Sequence, residues 1–320
     1  MEDHDASLGT ARHSCESRNP STATGADFGM DPGLRRGDEV GHGRAMIEGS
    51  ATILVIDSIT KLGAADAGAV AVAASHGGVY AAYLAARGHL RGVILNDAGI
   101  GLDAAGIAGL AYLDRLGMAA ATIDYRSARI GDGRDMMARG RISHVNAAAA
   151  RLGCEPDEPC GSAAERLSAA APFTGKAPAY EEARVLLRAG APPVWGIDSN
   201  ALAEPSDAGA VLVTGSHGGL LGGRPESAIR TAALAAVYND AGIGIDNAGI
   251  SRLPALDARG VAGATVAAAS ARIGDARSAW ATGRLSAVNA LAARCGARLG
   301  MSVPEFADCV IAYARGTSAG

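Results

Sequence analysis

The chain contains a long internal repeat. Asn96-Asp97-Ala98-Gly99-Ile100-Gly101 returns as Asn239-Asp240-Ala241-Gly242-Ile243-Gly244, and Ser127-Ala128-Arg129-Ile130-Gly131-Asp132 returns as Ser270-Ala271-Arg272-Ile273-Gly274-Asp275. From Asn96 to Asp132, 23 of 37 positions are identical to the residues 143 further on. A match of this length is a tandem duplication, and the fold must therefore be one that two like units can build. With 320 residues there is enough chain for two units of ordinary domain size.

Each copy reads as apolar β-rich runs alternating with helical segments. In the first copy the runs are 51–57, 68–75, 91–96 and 118–124, with helices expected over 79–87, 104–116 and 133–152. The second copy repeats the runs at 193–198, 210–216, 232–239 and 261–267, and a terminal helix is expected over 301–315. Aromatic residues make up only 4% of the chain, so Ala, Val, Ile and Leu must form the core. These features predict an α/β fold of two tandem duplicated units, each a parallel sheet with helices on both faces, Rossmann-like and related by a pseudo-twofold axis.

Residues 1–45 differ from the rest: they are polar, lack apolar periodicity and hold eight acidic residues against five Arg. This composition predicts a disordered N-terminal extension without a leader pattern of basic residues before an apolar core. Cys15-Glu16-Ser17-Arg18-Asn19-Pro20 and Asp31-Pro32-Gly33-Leu34-Arg35-Arg36-Gly37-Asp38-Glu39 resemble translated interspersed repeat DNA of the kind that precedes bacterial genes, a resemblance that implies Met46 as the natural start. The remaining boundaries are a first repeat at 46–171, a linker at 172–193 containing a helix near 180–189, and a second repeat at 194–320. Outside the extension the net charge is close to zero, which argues against a nucleic-acid or membrane partner. The five cysteines show no C-x-x-C pair or zinc-type spacing, as expected of reduced thiols in a cytoplasmic protein. The Ala-rich helices would permit close packing in a homo-oligomer.

The repeated polar residues fall at strand ends, where loops converge and helix N-termini present unpaired N–H groups. Ser75-His76-Gly77-Gly78 and Ser216-His217-Gly218-Gly219 each sit at a strand end, and their glycines allow close backbone approach to a ligand. Asn96-Asp97 and Asn239-Asp240 place an acid at the next strand end, to orient a histidine, bind substrate or cap a helix. Arg129 and Arg272 precede Asp132 and Asp275, which suit helix N-caps. Each arginine is then either an anion contact or one half of an ion pair between the units. Asn146 and Asn289 are expected inside helices, held by interior hydrogen bonds. The copies also diverge: Asp124-Tyr125-Arg126 faces Ala267-Ala268-Ala269, His144 faces Ala287, and the second copy alone carries Gly222-Gly223-Arg224-Pro225.

Residues 72–97 resemble the nucleophile-elbow region of α/β-hydrolases through Ser75-x-Gly-Gly, Leu84-Ala85-Ala86-Arg87 and Val93-Ile94-Leu95-Asn96-Asp97. The resemblance implies Ser75 as nucleophile and the His76 backbone N–H as an oxyanion donor. Side chains of neighbouring residues at a regular strand end point apart, so a base for Ser75 must come from elsewhere. The expectation is an enzyme acting on a small polar or anionic metabolite between the two units, an ester or amide hydrolase with Ser75, His76, Asp97, Ser216, His217 and Asp240 in the chemistry. Gly77, Gly78, Asn96, Arg126, Arg129, Gly218, Gly219, Asn239 and Arg272 are the expected substrate contacts. The alternatives are an isomerase or lyase using His/Asp proton transfer, and a non-catalytic small-ligand binder. No organic cofactor is expected; His76, Asp97 and Asp132 offer donors for a divalent metal, without a recognised spacing.

Overall fold

The computed structural model describes residues 43–45 and 51–317. The first repeat comprises β1 (Gly43–Ala45), β2 (Ile53–Ile56), β3 (Val70–His76), α1 (Val79–Arg87), β4 (Gly92–Asn96), α2 (Ala108–Arg115), β5 (Ala119–Ile123), α3 (Gly133–Arg139), β6 (Ile142–Val145), α4 (Ala147–Arg151) and α5 (Cys160–Leu167). The second comprises β7 (Arg184–Arg188), β8 (Val194–Ile197), β9 (Val211–His217), β10 (Ala235–Asn239), α6 (Arg252–Ala258), β11 (Ala262–Val266), α7 (Ala276–Thr282), β12 (Leu285–Val288), α8 (Ala290–Arg294) and α9 (Val303–Thr317). The expected disordered extension lies outside the described residues except for Gly43–Ala45, which pair with Ile53–Val55.

Each repeat is an α/β unit with a six-stranded sheet in which spatial order equals chain order, β1 to β6 and β7 to β12. The four middle strands run parallel and both edge strands are antiparallel. Because right-handed crossovers always advance in one direction, α1 and α2 lie together on one face of the first sheet. The chain then returns through α3, α4 and α5 to cover the other face. Burial on both faces explains the small-residue strands: every residue from Val70 to Ala74 is buried.

Three expectations are corrected. The helix expected over 133–152 is broken into α3, β6 and α4. Gly140 ends α3, where a Cβ would lie 2.4 Å from the Met136 carbonyl, and Ile142–Val145 then pairs antiparallel with β5. The linker helix near 180–189 is instead the edge strand β7, because pairing with β8 supplies the partners that a helix would have supplied internally. Asn146 and Asn289 are helix N-caps rather than interior residues. Each Oδ1 accepts from the backbone three residues on, and each Nδ2 donates to a carbonyl before the neighbouring strand, Met118 or Val261.

The two repeats meet through the carboxyl ends of their parallel strands. At the centre a Cβ on Gly99 would lie 2.9 Å from the Gly242 Cα, so only glycine lets the backbones approach this closely. Ala98, Gly99, Ile100 and Gly101 all have positive φ, as do Ala241 to Gly244. Such backbone is costly for Ala and Ile and persists because both sides are over-determined by packing and hydrogen bonds. Ala98, Ala241, Ile130, Ala248 and Ile273 form a small apolar core around this contact. Among the described residues no helix is long and apolar enough to cross a membrane.

Candidate functional site

Between the repeats lies a cavity of about 610 Å³, bordered by the ends of β2, β3, β8 and β9 and by the segment leading into β7. Its lining includes Ser75, His76, Ser216 and His217, so the duplicated Ser-His pairs converge on one space. Neighbouring strand residues ordinarily face opposite sides. Here the β3/β4 register shifts between Val72 and His76, an irregularity that re-aims the end of the strand so that both Ser75 and His76 border the cavity.

The serines are held alike. Ser75 Oγ accepts the Ile59 N–H at 3.0 Å and Ser216 Oγ accepts the Asn200 N–H at 2.8 Å. Each thereby ties the loop after the preceding strand to its own strand end, and its hydroxyl hydrogen has no protein acceptor among the described residues. Ser75 is the penultimate residue of β3, and its φ lies outside the left-handed region.

The glycines after each histidine set its protonation. Gly78 N–H donates to His76 Nδ1 and Gly219 N–H to His217 Nδ1, both at 3.2 Å. A Cβ on Gly78 would lie 2.7 Å from that Nδ1, so the imidazole can fold over the backbone only where no side chain obstructs it. With Nδ1 as acceptor, a neutral ring carries its hydrogen on Nε2. Burial reinforces neutrality, lowering the His76 pKa to about 4. His217 is lowered well below its ordinary value by burial, the Arg252 charge and His76. Gly77 and Gly218 have a packing role: a Cβ there would lie 2.5 Å from the Gly106 carbonyl or 2.3 Å from the Gly249 carbonyl.

Asp97 and Asp240 do not border the cavity. Asp97 Oδ1 accepts the Gly99 and Tyr125 N–H groups, and Asp240 Oδ1 accepts those of Gly242 and Ala268. Burial pushes the Asp97 carboxyl above its usual value, opposed by donors from Tyr125, Ser143 and Gly99. Asn96 and Asn239 each accept from the residue two on and donate to Ala128 or Ala271. The Asn-Asp pairs thus shape the central loops. Arg129 pairs with Asp132, Asp135 and, across the interface, Asp246; Arg272 pairs with Asp275 and, across it, Asp103. Arg126 is exposed and paired with Asp124. Asp132 and Asp275 are the N-caps of α3 and α7. Among the described residues no three His, Cys, Asp or Glu side chains gather as a metal site, and His76, Asp97 and Asp132 do not form one.

Of the other charged groups in the cavity, the expectations from sequence include Arg224 alone, within the Gly222-Gly223-Arg224-Pro225 segment that only the second copy carries. Glu182, just before β7, has its pKa raised to about 7, chiefly by burial. Tyr80 from α1 and Ser199 stand beside it and oppose the rise by favouring the charged form. Lys61, Asp198, Arg224, Glu226, Arg230 and Arg252 complete the charged lining. Arg252 takes the place of Gly109 in the first copy, and a charge replacing glycine beside a repeated motif is the signal that marks it. Glu182 lies in the linker, where no repeat could flag it. The cavity is asymmetric because α1 has no second-copy equivalent: the corresponding stretch forms short turns at Leu221–Gly223 and Pro225–Ser227. Comparison of the chain with protein-family models, curated proteins and solved structures gave no match.

Proposed function

We propose that the protein is an enzyme that moves protons on a small polar metabolite held between the two repeats, with Glu182 as the acid/base group. The observation that supports this is the convergence of a near-neutral carboxyl, two neutral imidazoles and two serine hydroxyls on one cavity. A carboxyl with a pKa near the working pH can both give and take a proton. The imidazoles, with Nε2–H available, suit polarisation of a substrate oxygen, while Ser75 and Ser216 suit orientation of its hydroxyl or carbonyl groups. Isomerisation or elimination uses this set directly.

Ester or amide hydrolysis is the second reading, favoured by Ser75 and Ser216 bordering the cavity with hydroxyl hydrogens that no acceptor among the described residues claims. It ranks behind because Ser75 occupies strand backbone outside the left-handed region. The experiment is a metabolite-library turnover screen paired with a fluorophosphonate probe read by intact-protein mass spectrometry. On the substrate found, Glu182→Gln should lower kcat by at least about 100-fold, the ordinary scale of lost acid–base catalysis. Covalent labelling of Ser75 or Ser216, with turnover retained in Glu182→Gln, would replace this reading with the hydrolytic one.

A further inference from the structure

The second-repeat wall of the cavity holds a buried charge with no counter-ion. Arg252 is only 2% exposed, and no carboxylate lies within ion-pair distance of it among the described residues. Its Nη1 donates to the Ser227 and Ala228 carbonyls and its Nη2 to that of Gly219. The Tyr238 ring lies beneath it, 4.8 Å from Cζ to centroid. A guanidinium has five N–H groups, so these bonds leave two unclaimed, including Nε–H, which is buried with no acceptor among the described residues. Carbonyls and a ring face orient the charge without neutralising it. A buried cation in that condition is costly unless a ligand supplies the missing charge.

The rest of the lining has the same sign. Lys61, Arg224, Arg230 and Arg252 are opposed by Asp198 and Glu226, with Glu182 held near neutrality. Asp198 is already engaged by the N–H groups of Ala183 and Ala276. Lys61 and Arg230 are exposed and have no ion-pair partner among the described residues, whereas Arg224 bridges loosely to Asp57 at 3.4 Å and Glu226 at 3.8 Å. The lining therefore carries one to two excess positive charges, and three of its four cations stand on the second repeat.

We propose that the cavity binds a small divalent anion, a phosphate monoester or a dicarboxylate, with Arg252 as the buried counter-charge and Arg224 and Arg230 closing over it from the rim. Arg252 is oriented by three carbonyls before the ligand arrives, so little ordering accompanies binding. The rim arginines can leave their weak or absent pairs to complete the contact. This assignment rests on the cavity being the substrate site, and it names the class of substrate that the acid/base group would act on.

The test is isothermal titration calorimetry of the full chain with inorganic phosphate and with succinate, against sodium chloride at matched ionic strength. Saturable binding of either anion is expected, with the tighter one naming the class. Arg224→Ala and Arg230→Ala should each weaken it about tenfold, equivalent to 1.4 kcal/mol, and Arg252→Gln should abolish it. Because Arg252 also tethers a loop, circular dichroism accompanies that variant, and the rim variants carry the test if it does not fold. Absence of saturable binding by both anions, or unchanged binding in the Arg224→Ala/Arg230→Ala double variant, overturns the proposal. Glu182→Gln should keep anion binding while losing turnover. Anion binding that fails while turnover still depends on Glu182 removes the anion assignment alone, and binding that holds while turnover ignores Glu182 removes the acid/base reading alone.

Discussion

The duplication provides a built-in control at Gly131 and Gly274, which occupy the same motif with nearly the same backbone, φ +84° and +83°. Replacing either by Ala puts a Cβ into the left-handed region, at a shared cost of about 1–2 kcal/mol. The surroundings differ. At Gly131 the new Cβ would lie 2.3 Å from the Leu220 carbonyl oxygen, a separation that real Cβ atoms essentially never show, whereas at Gly274 its nearest neighbour is His76 Cε1 at 3.4 Å. Gly131 also accepts a hydrogen bond across the interface from Gly222 N–H at 2.7 Å, so the Leu220–Gly222 backbone cannot withdraw without losing it. Overpacking against a constrained backbone adds about 1–3 kcal/mol. Gly131→Ala should therefore cost about 2–5 kcal/mol and Gly274→Ala about 1–2 kcal/mol. With about 2.1 cal/mol/K of unfolding entropy per residue, a chain of this size shifts by about 1.5–2 °C per kcal/mol, so the first variant should melt about 2–6 °C below the second. Differential scanning calorimetry at neutral pH measures it. Equal melting temperatures would refute the claim that the first-copy motif is locked against the opposite repeat and the second-copy motif is not.

Protonation gives two more outcomes to measure. Glu182 has a folded pKa of about 7 against an ordinary value of 4.5, so the unfolded chain releases this proton first, and the group's contribution to stability falls as pH rises from about 4.5 to 7. Discounted for partial solvent access, the loss is about 1–2 kcal/mol. Urea denaturation should show Glu182→Gln gaining stability relative to the parent at pH 8 but not at pH 4; an identical difference at both would sink the assignment. His76 has the opposite sign. Its folded pKa of about 4 lies below 6.5, so its contribution is present above pH 6.5 and lost as pH falls toward 4. Nitrogen-15 spectra at pH 6 should show a neutral ring protonated on Nε2, and a protonated imidazolium there would contradict the geometry.

The strands were legible because buried parallel strands are short apolar runs bounded by polar or glycine residues, and 70–76, 92–96 and 119–123 fit that description. Ile142–Val145 and Arg184–Arg188 were not legible. Each is an edge strand whose partner lies elsewhere, and local sequence that tolerates a helix says nothing of the pairing that overrides it. The site divided in the same way. Ser75, His76 and their partners stood out because both copies keep them, but the copies also keep Asn96-Asp97 and Arg129, which shape or pin the interface. A pseudo-twofold contact is made by the same residues from both sides, so duplication preserves the seam along with any shared chemistry. Glu182, Tyr80 and Arg252 belong to one side only; comparing the copies marks Arg252, where Gly109 becomes a charge, but does not link it to Glu182 or Tyr80.

That asymmetry accounts for why two units are needed at all. In an open parallel sheet, a crevice at the carboxyl ends forms where strand order reverses and successive loops part to opposite faces. Neither sheet here has such a point, since spatial order matches chain order throughout. A single repeat therefore presents Ser75 and His76 at an edge with no enclosing wall. Apposing two such edges makes the enclosure that the topology of one cannot, and the Gly99–Gly242 contact sets how closely they meet. Once both edges surround one space, symmetry is no longer required of the groups inside it. The second copy could lose the α1 equivalent and gain Arg224 and Arg252, while the linker between copies brings Glu182 to the cavity. The repeated residues build the chamber, and the unrepeated ones give it a charge and a titratable group.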